Sequence, residues 1–389
     1  MTGPAVPELA SFDRIIPALM EKYEIPGAAI AVTKDGRLIF ARGYGKADPQ
    51  TGEPVHPDSL FRIASVSKPL TSAAILKLVE SGRLRLEDKA FRILDNFKPP
   101  AGAPVDGRLY QITIRQLLQH SGGWDRDKEF DPMFISARIC RAMGTQAPAD
   151  HDTIIRYMMG QPLQFDPGTK YCYSNFGYCV LGRVIEKIMG QSYEAFVKRE
   201  VLGPAGVSCT REGRTLFKDR APGEVTYASA GEAQSVFPGA GRAPWPYGGW
   251  CIEAMDSHGG WIASAVDLMR FVRALDAGQI IRKATLREAL ARPAPPIGGA
   301  GGSWYGLGWQ VVQVQGGVNY FHTGSLDGTS TILVKAHENG LAWVALYNSR
   351  PRNSDQFDGE MDNSMWKAIG EVRRWPEHDL FGRFEGCRR

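Results

Sequence analysis

At 389 residues the chain is long enough for two lobes, or for one α/β unit carrying a large insertion. Its 43% apolar and 23% charged residues are those of a globular protein with a sizeable core, which excludes a disordered chain. A net charge of +4 over this length, with no Lys/Arg run and no basic-aromatic interleaving, excludes a nucleic-acid partner. No apolar run approaches the ~20 residues of a spanning helix, so no membrane partner is expected either. The first twenty residues carry Asp13 and Arg14 inside their apolar stretch, which is not the core of a secretory signal, and the sequence reads as cytoplasmic.

In chain order, residues 27 to 44 read as a β-hairpin turning at Lys34-Asp35-Gly36, where Asp-Gly supplies positive φ. Leu70 to Val79 is a helix ending before Ser81-Gly82, and Pro69 is tolerated in its first turn. Ser65 therefore falls at a strand-to-helix passage. Residues 83 to 229 are mainly helical, for example Val180, Leu181, Val184, Ile185, Ile188 and Met189 on one apolar stripe. Tyr173-Ser174-Asn175 lies just upstream of that stripe on a loop, after the turn chemistry of Asp166-Pro167-Gly168. Beyond a Pro/Gly-rich connection between Ala291 and Ser303, strands are expected at Trp309–Val314, near Val318, at Ser330–Val334 and at Leu341–Leu346. The last two turn around Asn339-Gly340. The simplest architecture is a sheet begun at the N-terminus and completed at the C-terminus: an α/β unit of residues 1–82 and 230–389, with a mainly helical domain, 83–229, inserted between.

Three short motifs carry chemistry. In Ser65-Val66-Ser67-Lys68, serine and lysine lie one helical turn apart, which sets a base beside a weak nucleophile. Tyr173-Ser174-Asn175 and His322-Thr323-Gly324 follow in an order that assembles a serine acyl-transfer site. A second S-x-x-K, Ser364 to Lys367, has neither partner motif after it; Ser364 reads as a first-turn residue of a surface helix capped by Asp362 or Asn363. The six cysteines show no C-x-x-C pair and no zinc-like spacing with histidine, and no H-E-x-x-H, G-x-G-x-x-G or Walker loop is present, so neither a metal nor a cofactor is expected. The terminal Gly386 to Arg389 reads as a solvated tail.

These motifs, with Phe61-Arg62-Ile63-Ala64, Ile114 through Gly123, Gly259-Gly260-Trp261 and Tyr305 through Trp309, resemble the serine β-lactamase and penicillin-binding protein superfamily. The likeness is to its class C-like branch of D,D-carboxypeptidases, D-aminopeptidases and family VIII esterases. The resemblance spans nearly the whole chain. It implies a β-lactamase/transpeptidase-like fold, an antiparallel sheet flanked by helices plus an all-helical lobe, with the site in the cleft between. It also implies Ser65 as nucleophile, Lys68 and Tyr173 as joint candidates for its base, and Asn175 as a substrate contact. His322, Thr323 and Gly324 would line the opposite wall, and the backbone N–H groups of Ser65 and Ser325 would hold the oxyanion.

Where β-lactamases of this branch carry K-T-G, this chain has His322, neutral for much of the time near pH 7, which disfavours recognition of a β-lactam carboxylate. Arg350 could restore it. The expected order is therefore carboxylesterase-like action on small esters, then a D-amino-acid peptidase or amidase, then a β-lactamase. A non-turnover acyl sensor is the alternative of another class. Trp124, Tyr171, Trp304 and Trp309 lie near the motifs and are candidates for an apolar acyl pocket, although most of them are expected to be core or lobe-interface residues, and residues 125 to 160 are expected at one rim of the cleft.

Overall fold

The computed structural model describes residues 1–387. Its centre is an eight-stranded antiparallel sheet built from both ends of the chain. The strands are β1 (Gly27–Lys34), β2 (Arg37–Asp48), β3 (Glu53–Pro54), β4 (Ser303–Tyr305), β5 (Gln310–Val314), β6 (Gly317–Leu326), β7 (Thr329–Lys335) and β8 (Leu341–Tyr347), in the order β3-β2-β1-β8-β7-β6-β5-β4. Both expected tight turns form: Asp35 and Gly36 take φ of 51° and 76°, and Asn339 and Gly340 both take 61°.

Alternation along the strands feeds two separate cores. Ile30, Val32, Trp343 and Ala345 face a layer made by α1 (Ala10–Lys22) and α5 (Ser354–Gly370), where Phe12, Ile16, Phe357, Met361 and Met365 are fully buried. Ala29, Ala31, Val344 and Leu346 face the other way, into a core shared with α2 (Ser67–Glu80), α3 (Asn175–Met189), α4 (Ala265–Ala277) and the short helices between residues 90 and 197. Because Phe357, Met361, Met365 and Ala368 bury at helical spacing, α5 starts at Ser354. Ser364 is therefore in the middle of that helix and not in a capped first turn.

A small three-stranded sheet positions Ser65. Phe61–Arg62 pairs with Trp261–Ala263, which pairs with Arg211–Glu212. This ladder is tied to the main sheet by Thr329 Oγ1, which donates to the Arg62 carbonyl at 2.9 Å, and by Thr331 Oγ1, which donates to that of Ile63 at 3.0 Å.

The C-terminal tail is not a free solvated end. Cys387 is disulfide-bonded to Cys209, while Cys140, Cys172, Cys179 and Cys251 are free and buried. Arg388 and Arg389 lie outside the described residues. No helix among the described residues is long and apolar enough to cross a membrane.

Candidate active site

After Ile63, whose N–H donates to the Trp261 carbonyl at 2.9 Å, the chain turns through Ala64 at φ 45°, a left-handed conformation costly for a residue with a Cβ. Ser65 sits in the 3₁₀ turn Ala64–Val66 that leads into α2, so it precedes the helix proper. The tighter turn eclipses residues three apart and sets Lys68 directly over Ser65.

Lys68 is fully buried, and its Nζ has three neighbours: Ser65 Oγ at 2.9 Å, Asn175 Oδ1 at 2.8 Å and the His258 carbonyl at 2.9 Å. Burial pushes its pKa well below the usual 10.5; Asp131 opposes that shift and Arg126 adds to it. A neutral amine has two N–H groups and one lone pair. Asn175 Oδ1 and the His258 carbonyl can only accept, so they take both hydrogens and the lone pair is left facing the Ser65 hydroxyl.

Tyr173 lies with its ring 4.7 Å from Lys68 Nζ and 5.2 Å from the Arg126 guanidinium. Burial drives its phenol above the usual 10, against a hydrogen bond to Ser65 that works the other way. Of the two base candidates, only Lys68 is shifted toward its basic form. The loop bearing Tyr173 is held by the Ile114–Gly123 segment: the His120 carbonyl accepts from Cys172 N–H at 2.7 Å, its Nδ1 accepts from Ser174 N–H at 3.1 Å, and its ring lies tilted against that of Tyr173 at 4.2 Å. Ser174 caps α3 by accepting from Gly177 N–H, so Asn175 is the first helical residue and only Tyr173 is on the loop proper.

On the facing wall, His322, Thr323 and Gly324 lie within β6. His322 is buried, and its Nδ1 is 2.7 Å from the Thr323 carbonyl, which must accept. The proton is therefore on Nδ1, and Nε2 accepts from Tyr305 Oη at 2.9 Å. Burial and Lys68 push its pKa down to about 3, so this position carries no cation near pH 7. Gly324 packs on the nucleophile turn; a Cβ there would overlap the Ile63 carbonyl and lie 3.1 Å from Ser65 N. Strand and turn thus meet with backbone in contact, and Ser325 is the next residue along β6.

Ser65, Tyr173, Asn175, His322, Thr323 and Ser325 all line one cavity of about 610 Å³. Its apolar wall differs from the expected one. Phe134, Trp245, Trp250 and Met255 form it, with Trp245 stacked on Trp250 at 5.6 Å and Phe134 edge-on to Trp250 at 5.9 Å. Trp124 is core, packed against Phe91 and Phe176, and Trp309 is core against Phe271. Tyr171 and Trp304 line a neighbouring cavity of about 390 Å³. Arg350 lies at the rim of the catalytic cavity, and Arg126, His258, Gln310 and Asp327 complete its polar lining. Asn175 is already engaged on both sides, by Lys68 and through Nδ2 to Asp131 Oδ2 at 2.7 Å. Arg126, Asp131 and Phe134 fall within the 125–160 stretch expected at one rim of the cleft, whereas His258 and the Trp245–Trp250 pair carry no sequence signal.

The family model described as Beta-lactamase matches residues 12–362. Penicillin-binding protein 4* of Bacillus subtilis is 28% identical over 374 residues, covering 94% of this chain and 74% of that protein. Esterase EstB of Burkholderia gladioli is 29% identical over 362 residues, covering 87% and 85%. Among solved structures, D-amino acid amidase from Ochrobactrum anthropi SV3 superposes with a TM-score of 0.74 at 20% identity, over 95% of this chain and all of that one, and so shares the fold. With the family model spanning the sheet, the inserted helices and all three motifs, this chain belongs to the beta-lactamase family, within the serine β-lactamase and penicillin-binding protein superfamily of hydrolases.

Proposed function

We propose that the protein hydrolyses small esters with apolar groups through an acyl-enzyme on Ser65. The observation that carries this reading is the cavity itself: the nucleophile opens onto the Phe134–Trp245–Trp250 wall, and the third motif contributes a neutral His322 where a carboxylate-recognising cation would stand. In the proposed reaction the Ser65 hydroxyl gives its proton to Lys68 Nζ as Oγ attacks the ester carbonyl. The backbone N–H groups of Ser65 and Ser325 hold the oxyanion. Collapse of the tetrahedral adduct breaks the bond to the leaving alkoxide, which takes a proton passed from Lys68 through Tyr173. Water then adds to the acyl-Ser65 carbonyl and gives its proton to Lys68; collapse breaks the acyl bond to Oγ, which takes that proton back from Lys68 as the acid leaves.

A D-amino-acid amidase is the second reading, favoured by Asp327 in the cavity lining, a carboxylate suited to a substrate ammonium. The test is hydrolysis of p-nitrophenyl butyrate beside D-phenylalanine amide and a chromogenic cephalosporin. Ser65→Ala is expected to abolish ester turnover, and Lys68→Ala to lower it by about 10²–10⁴, the usual contribution of a positioned base. Tyr173→Phe is expected to lose most activity. Ester turnover that survives Ser65→Ala would remove the reading. Amide turnover exceeding ester turnover would replace it with the second, and acyl-Ser65 that accumulates in mass spectra without product would replace it with an acyl sensor.

A further inference from the structure

We infer that Asp131 is a positioning residue for the nucleophile: it fixes the orientation of the Asn175 amide, and through it the direction of the Lys68 lone pair. The inference rests on the proposed role of Lys68 as base for Ser65.

Four side chains, Asp131, Asn175, Lys68 and Ser65, form one chain of donors and acceptors. Asp131 stands ahead of the 3₁₀ turn Pro132–Phe134, where its Oδ1 accepts from Met133 N–H at 3.1 Å and its Oδ2 accepts from Asn175 Nδ2 at 2.7 Å. Its side chain is only 13% exposed, and Arg126 Nη1 lies 3.6 Å from Oδ2. A carboxylate offers acceptors alone, so the NH₂ end of Asn175 must turn toward it. That leaves Oδ1 for Lys68, 2.8 Å away. Were Asn175 reversed, its NH₂ would face Lys68 Nζ and claim the lone pair. A lysine hydrogen would then point at Ser65 Oγ, and the amine could no longer receive the serine proton. Asn175 by itself is indifferent between the two orientations, since both ends of an amide are similar in size. The acceptor-only partner 44 residues upstream decides it.

The same carboxylate also acts on Lys68 by charge. Lys68 is faced by Ser65 within its own turn, by Asn175 and Tyr178 from α3, by Tyr173 from the preceding loop, by the His258 carbonyl, and at longer range by Asp131, Arg126, His120 and His322. Asp131 is the carboxylate in that set, and its charge holds the Lys68 pKa up against burial and Arg126. Removing it lowers that pKa further.

The test is a kcat/KM–pH profile for p-nitrophenyl butyrate with Asp131→Asn, Asn175→Ala and the double variant. Asp131→Asn offers a single acceptor oxygen, so the amide is no longer oriented by necessity. The expected result is a loss of about 10–10² in kcat/KM, part of the 10²–10⁴ that a positioned base supplies, with the acid limb moved to lower pH. Because Asp131 orients the amine only through Asn175, the plateau kcat/KM of the double variant is expected to be no lower than that of Asn175→Ala alone, while the direct effect of its charge on Lys68 still moves the acid limb to lower pH. Asp131→Ser keeps an oxygen for Met133 N–H while abandoning Asn175, and repeats the test if the amide variant folds poorly. Wild-type kcat/KM with an unmoved acid limb in Asp131→Asn, or losses that multiply in the double variant, would overturn the inference. Turnover surviving in Lys68→Ala would instead overturn the reading beneath it.

Discussion

Burial of Lys68 has opposite consequences for catalysis and for stability. The amine is a base only when neutral, and burial with Arg126 nearby lowers its pKa, so the neutral fraction grows as pH rises through that lowered value. Tyr173 is shifted the other way and stays protonated past its usual 10. Ester hydrolysis by the wild type is therefore expected to show one acid limb in kcat/KM, followed by a plateau with no alkaline fall up to pH 10. An alkaline limb below pH 9 would mean that Tyr173 ionises in the working range. Lys68→Arg, which cannot deprotonate, should be inactive across the whole profile. For stability the sign follows from proton counting: between the lowered folded pKa and the unfolded 10.5, the unfolded chain holds a proton that the fold does not. Stability contributed by this group is therefore lowest at acid pH and rises with pH through that window, by up to about 1.4 kcal/mol per pH unit. Urea unfolding of Lys68→Met should lose that one-proton slope.

At the scale of elements, the site is a contact between a strand and a turn, and Gly324 marks how close they come. A Cβ at this position would overlap the Ile63 carbonyl and Thr331 Oγ1, both fixed by hydrogen bonding, so Gly324→Ala has to move β6 away from Ser65. The expected cost is about 1–3 kcal/mol of stability from overpacking. Turnover should fall by about 10²–10³, as when one oxyanion donor is displaced. Undiminished kcat/KM in this variant would place the oxyanion donors elsewhere than Ser65 and Ser325. The strand, the turn and the two hairpin connections were legible in the sequence because their chemistry sits at fixed short spacings: three residues from Ser65 to Lys68, adjacent positions in His322-Thr323-Gly324, and Asp-Gly or Asn-Gly at the turns, the first a two-residue turn and the second the end of a four-residue loop. What was not legible is long-range. The His258 carbonyl reaches Lys68 across 190 residues, and Asp131 reaches Asn175 from a loop with no periodic pattern. Of the aromatics near the motifs, Trp124 and Trp309 fill cores, as most were expected to, while Trp245 and Trp250, from a stretch without a motif, line the cavity with Ser65.

At the scale of the whole molecule, the C-terminal segment ties the main sheet to the small one. Gly386 and Cys387 are exposed, as a solvated tail predicts, but upstream of them Leu380 N–H donates to the Leu38 carbonyl at 2.8 Å, His378 Nε2 lies 3.0 Å from the Ile39 carbonyl, and Phe381 packs under Arg273 at 4.1 Å. The segment thus runs from β2 past α4, where Arg270 Nη2 donates to the Phe384 carbonyl at 2.7 Å, to Cys387 and its bond with Cys209. Cys209 is two residues before the Arg211–Glu212 strand, in the small sheet that carries the Ser65 turn. Closing 178 residues with one bond removes chain entropy from the unfolded state worth at most about 5 kcal/mol, and about 2–4 kcal/mol is typical. Cys387→Ser is therefore expected to lower the thermal midpoint to the value the wild type shows in excess reductant, with reductant having no further effect on the variant. Because neither cysteine lines the Ser65 cavity, the same substitution should leave ester kcat/KM unchanged at 25 °C. Equal midpoints for the two proteins without reductant would mean that the noncovalent contacts of residues 378 to 384 hold the tail by themselves. A fall in kcat/KM at 25 °C would mean that the small sheet transmits the loss of the bond to the nucleophile turn.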